Sequence, residues 1–264
     1  MCRFLAYRGA PLFLEELVCV PRRSLLRQSL HAEEAKVRTH GDGVGLGWYG
    51  ERELPGRYRD VLPAWSDENL LSLCRSLRAP LFFAHVRAST GTPTARANCH
   101  PFAHGRWLFM HNGQVAGYPT LRRALEQRLP DPLYAARAGN TDSELLFLLL
   151  LAQLEQGAGV LEAVAAMLST VAQQMRSAGV AGPLRFAAAL SDGRALYAFR
   201  AANDGTSPTL YLGRRADGVV VASEPLDDEA STWTPVADGH AVVADDDGVA
   251  IVPIAGWSPL PVAA

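Results

Sequence analysis

The chain has 264 residues, 48% of them hydrophobic, 20% charged, and a net charge of −2. That is enough apolar content for one large domain or two small ones, and the near-neutral balance argues against nucleic-acid and membrane-surface partners. Arg3, Arg8, Glu15 and Glu16 interrupt the first apolar residues, so no secretory leader is expected. The longest apolar run, Leu145 to Ala152, falls far short of the roughly 18–20 residues of a membrane-crossing helix. Cys2, Cys19, Cys74 and Cys99 are widely spaced with no Cys-x-x-Cys pair, which suits a reducing cytosol. A soluble cytoplasmic protein is expected.

Residues Cys2 to Tyr7 read as a strand, followed by a helix-like segment from Leu12 to Val18. Pro21 to Thr39 is polar and mixed and reads as loop. The run from Gly41 to Gly50 contains Gly-x-Gly-x-x-Gly at 45–50, but Glu51 to Gly56 is turn rather than the helix a dinucleotide site needs. Alternate glycines there instead predict a strand that another backbone or a ligand approaches closely. Ser66 to Leu77 reads as a helix capped by Ser66, with Leu70, Leu73, Cys74 and Leu77 on one buried face. Pro80 to Val86 is a buried strand ending at Arg87-Ala88-Ser89-Thr90. A second, Trp107 to Met110, is expected to stop at His111-Asn112-Gly113.

A short amphipathic helix is predicted over Leu121 to Arg128. Two longer ones follow, from Asp142 to about Gln156 and from Val160 to Ala178. Beyond Gly182 the apolar period changes to that of strands. Ser191-Asp192-Gly193-Arg194, Ala216-Asp217-Gly218 and Asp245-Asp246-Asp247-Gly248 then mark three hairpins. Strands first, helices in the middle and hairpins last argue an α+β fold, and no linker divides residues 1–264, which read as a single domain.

The chemistry starts at Cys2. If Met1 is removed, this residue carries a thiol and a free α-amine. The amine titrates near about 7.7–8, so part of it is basic at neutral pH and can take the proton of a thiol whose ordinary pKa is about 8.5. Nucleophile and general base then sit on one residue. With Met1 retained the nitrogen is an amide and that option is lost. Alone, Cys2 reads as an inert cysteine opening a strand. Asn112-Gly113 alone reads as a turn, Arg87 as a salt-bridge residue and Asp142 as a helix cap.

Taken together and in this order, Cys2, Arg87-Ala88-Ser89-Thr90, His111-Asn112-Gly113 and Thr141-Asp142-Ser143-Glu144 resemble the class II (N-terminal nucleophile) glutamine amidotransferases. His85, Asn98-Cys99-His100-Pro101 and Ser223-Glu224-Pro225 add to the resemblance, which covers nearly the whole chain. It implies a four-layer αββα sandwich with Cys2 between the sheets. It also implies that Asn112 and the Gly113 N–H form the oxyanion hole, that Arg87 and Thr90 bind a substrate α-carboxylate, and that Asp142 binds the α-ammonium. No cofactor is implied. His85, His100, His104 and His111 with Cys99 match no standard zinc spacing, so no metal site is expected. A Cys99–His100 dyad is disfavoured because adjacent residues on extended chain point apart.

Met1-Cys2-Arg3-Phe4-Leu5-Ala6-Tyr7 lacks the glycine that often follows the nucleophile. With Asp42 to Tyr49 and His85 to Pro93, it resembles the stand-alone branch that holds the ergothioneine-pathway γ-glutamyl amidohydrolase. The expected reaction is hydrolysis of a γ-glutamyl amide, such as glutamine or γ-glutamyl hercynylcysteine sulfoxide, through a γ-glutamyl thioester. Two other readings stay open. One is a glutaminase subunit that hands ammonia to a separate synthase; the other is a non-catalytic γ-glutamyl binding module.

Overall fold

The computed structural model describes residues 2–34, 38–89, 91 and 93–258. From the N-terminus run β1 (Arg3–Phe13), α1 (Glu15–Val18), α2 (Leu25–Leu30), β2 (Val44–Tyr49), β3 (Gly56–Asp60), α3 (Glu68–Ser76) and β4 (Arg78–Val86). Then come β5 (Phe102–His104), β6 (Trp107–Val115), α4 (Tyr118–Glu126), α5 (Asp131–Ala135), α6 (Asp142–Glu155) and α7 (Val160–Ser177). Strands finish the described chain: β7 (Leu184–Ser191), β8 (Leu196–Ala202), β9 (Tyr211–Arg215), β10 (Gly218–Ala222), β11 (Trp233–Pro235), β12 (His240–Asp245) and β13 (Gly248–Pro253).

The strands form two antiparallel sheets, ordered β11-β9-β10-β1-β4-β2-β3 and β13-β12-β8-β7-β6-β5. Side chains alternate across a strand, so each sheet has two faces to bury. Phe4 and Ala6 of β1 and Phe83 of β4 pack against Leu108 and Met110 of β6 and Ala187 and Ala189 of β7, which forms the core between the sheets. The opposite residues, Leu5, Tyr7, Phe82 and Ala84, pack with Leu17, Leu25, Leu70 and Cys74 of α1, α2 and α3. On the second sheet, Phe109, Phe186 and Phe199 face a larger cluster built from α4 to α7. The result is four layers, helix–sheet–sheet–helix, and the α+β sandwich expected from the sequence.

Each of the three late hairpins forms where its Asp-Gly turn predicts it. Cys74 is fully buried, as its helical stripe requires. Four local expectations are corrected. β1 runs on to Phe13, because its far end still pairs with Ala79 and Arg78 of β4, leaving only Glu15–Val18 helical. The segment taken as loop from Pro21 holds α2, capped by Ser24, whose hydroxyl accepts from the Arg27 N–H. Asp67 rather than Ser66 caps α3, its carboxylate accepting from the Leu70 N–H at 3.0 Å. β6 does not stop at Met110: it continues through His111, Asn112 and Gly113 to Val115, since β7 supplies a paired residue at every step.

The glycine run behaves as the strand reading predicts. β2 lies between β3 and β4, and a Cβ on Gly45 would collide with the His100 carbonyl. Side chains at Gly45 and Gly47 would push the 99–101 segment off the sheet.

Candidate active site

Cys2 lies at the head of β1, beside the end of β4, where Arg3 pairs with Val86. Its thiol donates to the Ala88 carbonyl at 3.7 Å. Burial pushes the thiol pKa up, while the Arg87 cation pulls it down and the Asp142 carboxylate pushes it up again. Two of the residues singled out from the sequence are therefore close enough to act on Cys2 electrostatically.

Arg87 is 3% exposed and follows directly on β4. Its guanidinium donates to the Asp42 carbonyl at 3.2 Å, the Ser89 hydroxyl at 3.2 Å and the Pro93 carbonyl at 3.4 Å. Asp42 grips the same segment twice more: its N–H donates to the Arg87 carbonyl and its carboxylate accepts from the Ser89 N–H at 2.7 Å. Arg87 is thus a buried, aimed cation rather than a surface ion-pair residue. Sequence reasoning missed Asp42, whose signal was its place between Gly41 and Gly43 just ahead of a strand. Thr90 lies outside the described residues.

The extra length of β6 matters most here. Strand alternation sends His111 to the helix side of the second sheet and Asn112 to the inter-sheet side, with Leu108 and Met110. His111 meets Ser143 through Nδ1 at 2.8 Å and the Arg185 carbonyl through Nε2 at 3.2 Å. Asn112 is fully buried, and neither its amide nitrogen nor its oxygen has a hydrogen-bond partner among the described residues. A buried unpaired amide costs about 1–3 kcal/mol, so such a group needs a reason to be there. Next to it, a Cβ on Gly113 would strike the Arg185 carbonyl and the His111 ring, so only glycine fits.

α6 brings in Asp142. Thr141 caps that helix, its hydroxyl accepting from the Glu144 N–H, which releases Asp142 from the capping role. The Asp142 carboxylate accepts from the Val115 N–H at 2.9 Å and the Ser143 N–H at 2.8 Å. It therefore joins the first turn of α6 to the end of β6, and it remains partly exposed.

His85 and His100 stack at the same end of the inter-sheet space, ring centroids 4.1 Å apart, and none of their four ring nitrogens has a hydrogen-bond partner among the described residues. Burial lowers His85 to about 3 and pushes His100 well below its ordinary value, and the charges of Arg87 and His111 act in the same direction on both. Burial also lowers His111. These imidazoles are neutral at pH 7. Cys99 and His100 diverge: the thiol donates to the Asp60 carbonyl at 3.3 Å while the imidazole stacks on His85. Among the described residues no group of three or more His, Cys, Asp or Glu side chains converges on a common point.

Two antiparallel sheets packed face to face between helices, with a cysteine at the head of a central strand, define an enzyme of the N-terminal nucleophile type. Residues 23–216 match the class II glutamine amidotransferases, and the chain belongs to that family. It is 31% identical over 259 residues to the γ-glutamyl-hercynylcysteine sulfoxide hydrolase of Mycolicibacterium smegmatis, covering 96% of this chain and 100% of that protein. Over 301 residues it is 29% identical to DUG3, a probable glutamine amidotransferase of Saccharomyces cerevisiae, covering 96% of this chain and 84% of the relative. A class II glutamine aminotransferase domain protein from Silicibacter pomeroyi superposes with a TM-score of 0.77 at 35% identity, covering 98% of this chain and 100% of that one. The glutamine phosphoribosylpyrophosphate amidotransferase of B. subtilis shares the fold at 16% identity, with a TM-score of 0.65 over 97% of this chain and 49% of its own.

Proposed function

We propose that this chain is a stand-alone amidohydrolase that cleaves a γ-glutamyl amide and releases glutamate. The observation that carries the reading is the Asn112 amide, buried and without a partner on the strand that faces the Cys2 end of the inter-sheet space. An oxyanion formed at a substrate carbonyl would supply the missing acceptor. One such preorganised donor is worth about 3–4 kcal/mol in the transition state. The M. smegmatis relative, named for hydrolysis of a γ-glutamyl conjugate and matched over its whole length, supports the same substrate class.

In this scheme Met1 is removed and the Cys2 α-amine takes the thiol proton. The sulfur attacks the γ-carbonyl, and Asn112 and the Gly113 N–H hold the oxyanion. The amine's proton passes to the leaving nitrogen as the C–N bond breaks, giving a γ-glutamyl thioester and a free amine. Water then cleaves the thioester to glutamate and regenerates Cys2. Arg87, assisted by Thr90, holds the substrate α-carboxylate. Asp142 accepts from two backbone N–H groups, which leaves carboxylate lone pairs for the α-ammonium. The reaction calls on no cofactor.

The chain acts as one catalytic unit on a small molecule. No described helix is long and apolar enough to cross a membrane, and the four free cysteines suit a reducing cytosol.

Glutamate release from glutamine, γ-glutamylcysteine and γ-glutamyl hercynylcysteine sulfoxide tests the proposal, with Cys2→Ala as control and intact mass reporting on Met1. Release that favours one amide and vanishes in the variant is expected. Mature protein that keeps Met1, or no release from any amide, would overturn it.

A further inference from the structure

A residue at a chain terminus is a poor place for a nucleophile, because chain ends fray unless they are tied down. Here the tie comes from below. Arg3 is fully buried; its Nε donates to Glu224 at 2.7 Å and its Nη1 donates to the carbonyl of Cys2 itself at 3.2 Å. Glu224, 4% exposed, also accepts from the Glu33 and Glu34 N–H groups, each at 3.0 Å. Ser223 clasps the next residue from both sides: its hydroxyl accepts from the Phe4 N–H at 3.1 Å, and its own N–H donates to the Phe4 carbonyl at 3.0 Å. Arg3 and Phe4 are gripped directly by Glu224 and Ser223, and Cys2 is held through Arg3.

A buried ion pair is an inefficient way to add stability, since desolvating two charges offsets most of their attraction and apolar residues of similar volume often serve as well or better. What an ion pair supplies that apolar packing does not is direction. The planar guanidinium meets the carboxylate with one nitrogen and the Cys2 carbonyl with another, so the orientation of Glu224 fixes that of the Cys2 peptide group. Glu224 is in turn oriented by the two N–H groups of the 33–34 segment.

We infer that Arg3 and Glu224 are positioning residues that orient the nucleophile's backbone once Met1 is gone. The inference rests on Cys2 being the nucleophile. Neither side chain touches substrate; both act through the Cys2 carbonyl.

Three variants test it: Glu224→Gln, Arg3→Lys and the apolar double variant Arg3→Met/Glu224→Met. Glu224→Gln keeps the shape but turns its NH₂ toward at least one of the donors it now accepts from. The double variant keeps volume and removes direction. Each is measured for kcat and KM, for hydrogen exchange of the 2–6 peptide and for the rate of Cys2 alkylation by iodoacetamide. The expected result is a kcat at least tenfold lower with KM within threefold, faster exchange in 2–6, and an alkylation rate at Cys2 changed at least fivefold while that at Cys19 is not. A folded double variant with wild-type kcat, exchange and alkylation would overturn the inference; should it fail to fold, the same three results in Glu224→Gln would do so. If wild type releases no glutamate, the substrate reading fails by itself. Exchange and alkylation then still decide the positioning role.

Discussion

Two buried asparagines, fourteen residues apart in sequence, show how differently the same side chain can be used. Asn98 is 2% exposed, and its amide is saturated: Nδ2 donates to the Pro93 carbonyl and to Asn140 Oδ1, each at 2.9 Å, and Oδ1 accepts from the Asn140 N–H at 3.0 Å. It ties the loop before β5 to the loop before α6. Asn112 is fully buried with no partner on either atom among the described residues. Satisfied buried amides hold structure; an unsatisfied one is stability given up, and the fold around Cys2 is where it is given up.

The contrast is broken most completely at Cys2, the proposed nucleophile. Cys2→Ala is expected to lower glutamate release by about 10⁴-fold or more while leaving the thermal midpoint nearly unchanged. A variant that retains activity would remove the reason for an unpaired amide nearby. Asn112→Ala comes next. A fall in kcat of about 10²–10³-fold is expected, with no loss of stability beyond that of a small cavity, because the deleted amide had no bond to lose. Asn98→Ala should do the reverse, lowering unfolding free energy by about 1–3 kcal/mol in urea melts and leaving kcat within about threefold. If both variants lost activity and stability in the same proportion, the distinction between them would collapse.

A last effect, on stability alone, concerns the stacked histidines. An unfolded imidazole titrates near about 6.5, whereas His85 is held down to about 3 and His100 well below its ordinary value by burial. Between those limits the unfolded chain binds more protons than the folded one. Stability is therefore full above about pH 6.5 and is lost as the pH falls below it. Urea melts between pH 4.5 and 7.5 should show this slope, and His85→Phe should flatten it. An unchanged slope would mean that the pair is charged or solvated in the fold.

Much of this was legible in the sequence where one residue type has one use. Asp-Gly turns between alternating strands gave three hairpins, and the glycines of β2 announced a close backbone approach. Cys2, Arg87, Asn112 and Asp142, the residues proposed to act, are singled out by family resemblance more than by any local signal. The failures share a cause: a local preference overruled by distant partners. Asn112-Gly113 has the composition of a turn, yet β7 pairs with it as strand. Ser66 and Asp67 are both good caps, and Tyr58, whose hydroxyl donates to the Asp67 carboxylate at 2.8 Å, comes from a strand that sequence reading did not predict. α2 was missed although Ser24 before Leu25 and Leu26 was a usable start signal. Asp42, Ser143 and the Arg3–Glu224 pair act through contacts 32 to 221 residues apart in sequence, which no window can see.

The rivets between α6 and β6 have a consequence for selectivity. Asp142 is fastened to the Val115 N–H and Ser143 to His111, on either side of Asn112 and Gly113. The group proposed to hold a substrate's ammonium and the groups proposed to hold its oxyanion therefore belong to one rigid body. That body is a gauge of fixed span. If those roles hold, an amino acid amide one methylene shorter, such as asparagine, anchored at one end would fall short of the other, and the site would measure side-chain length before any chemistry begins.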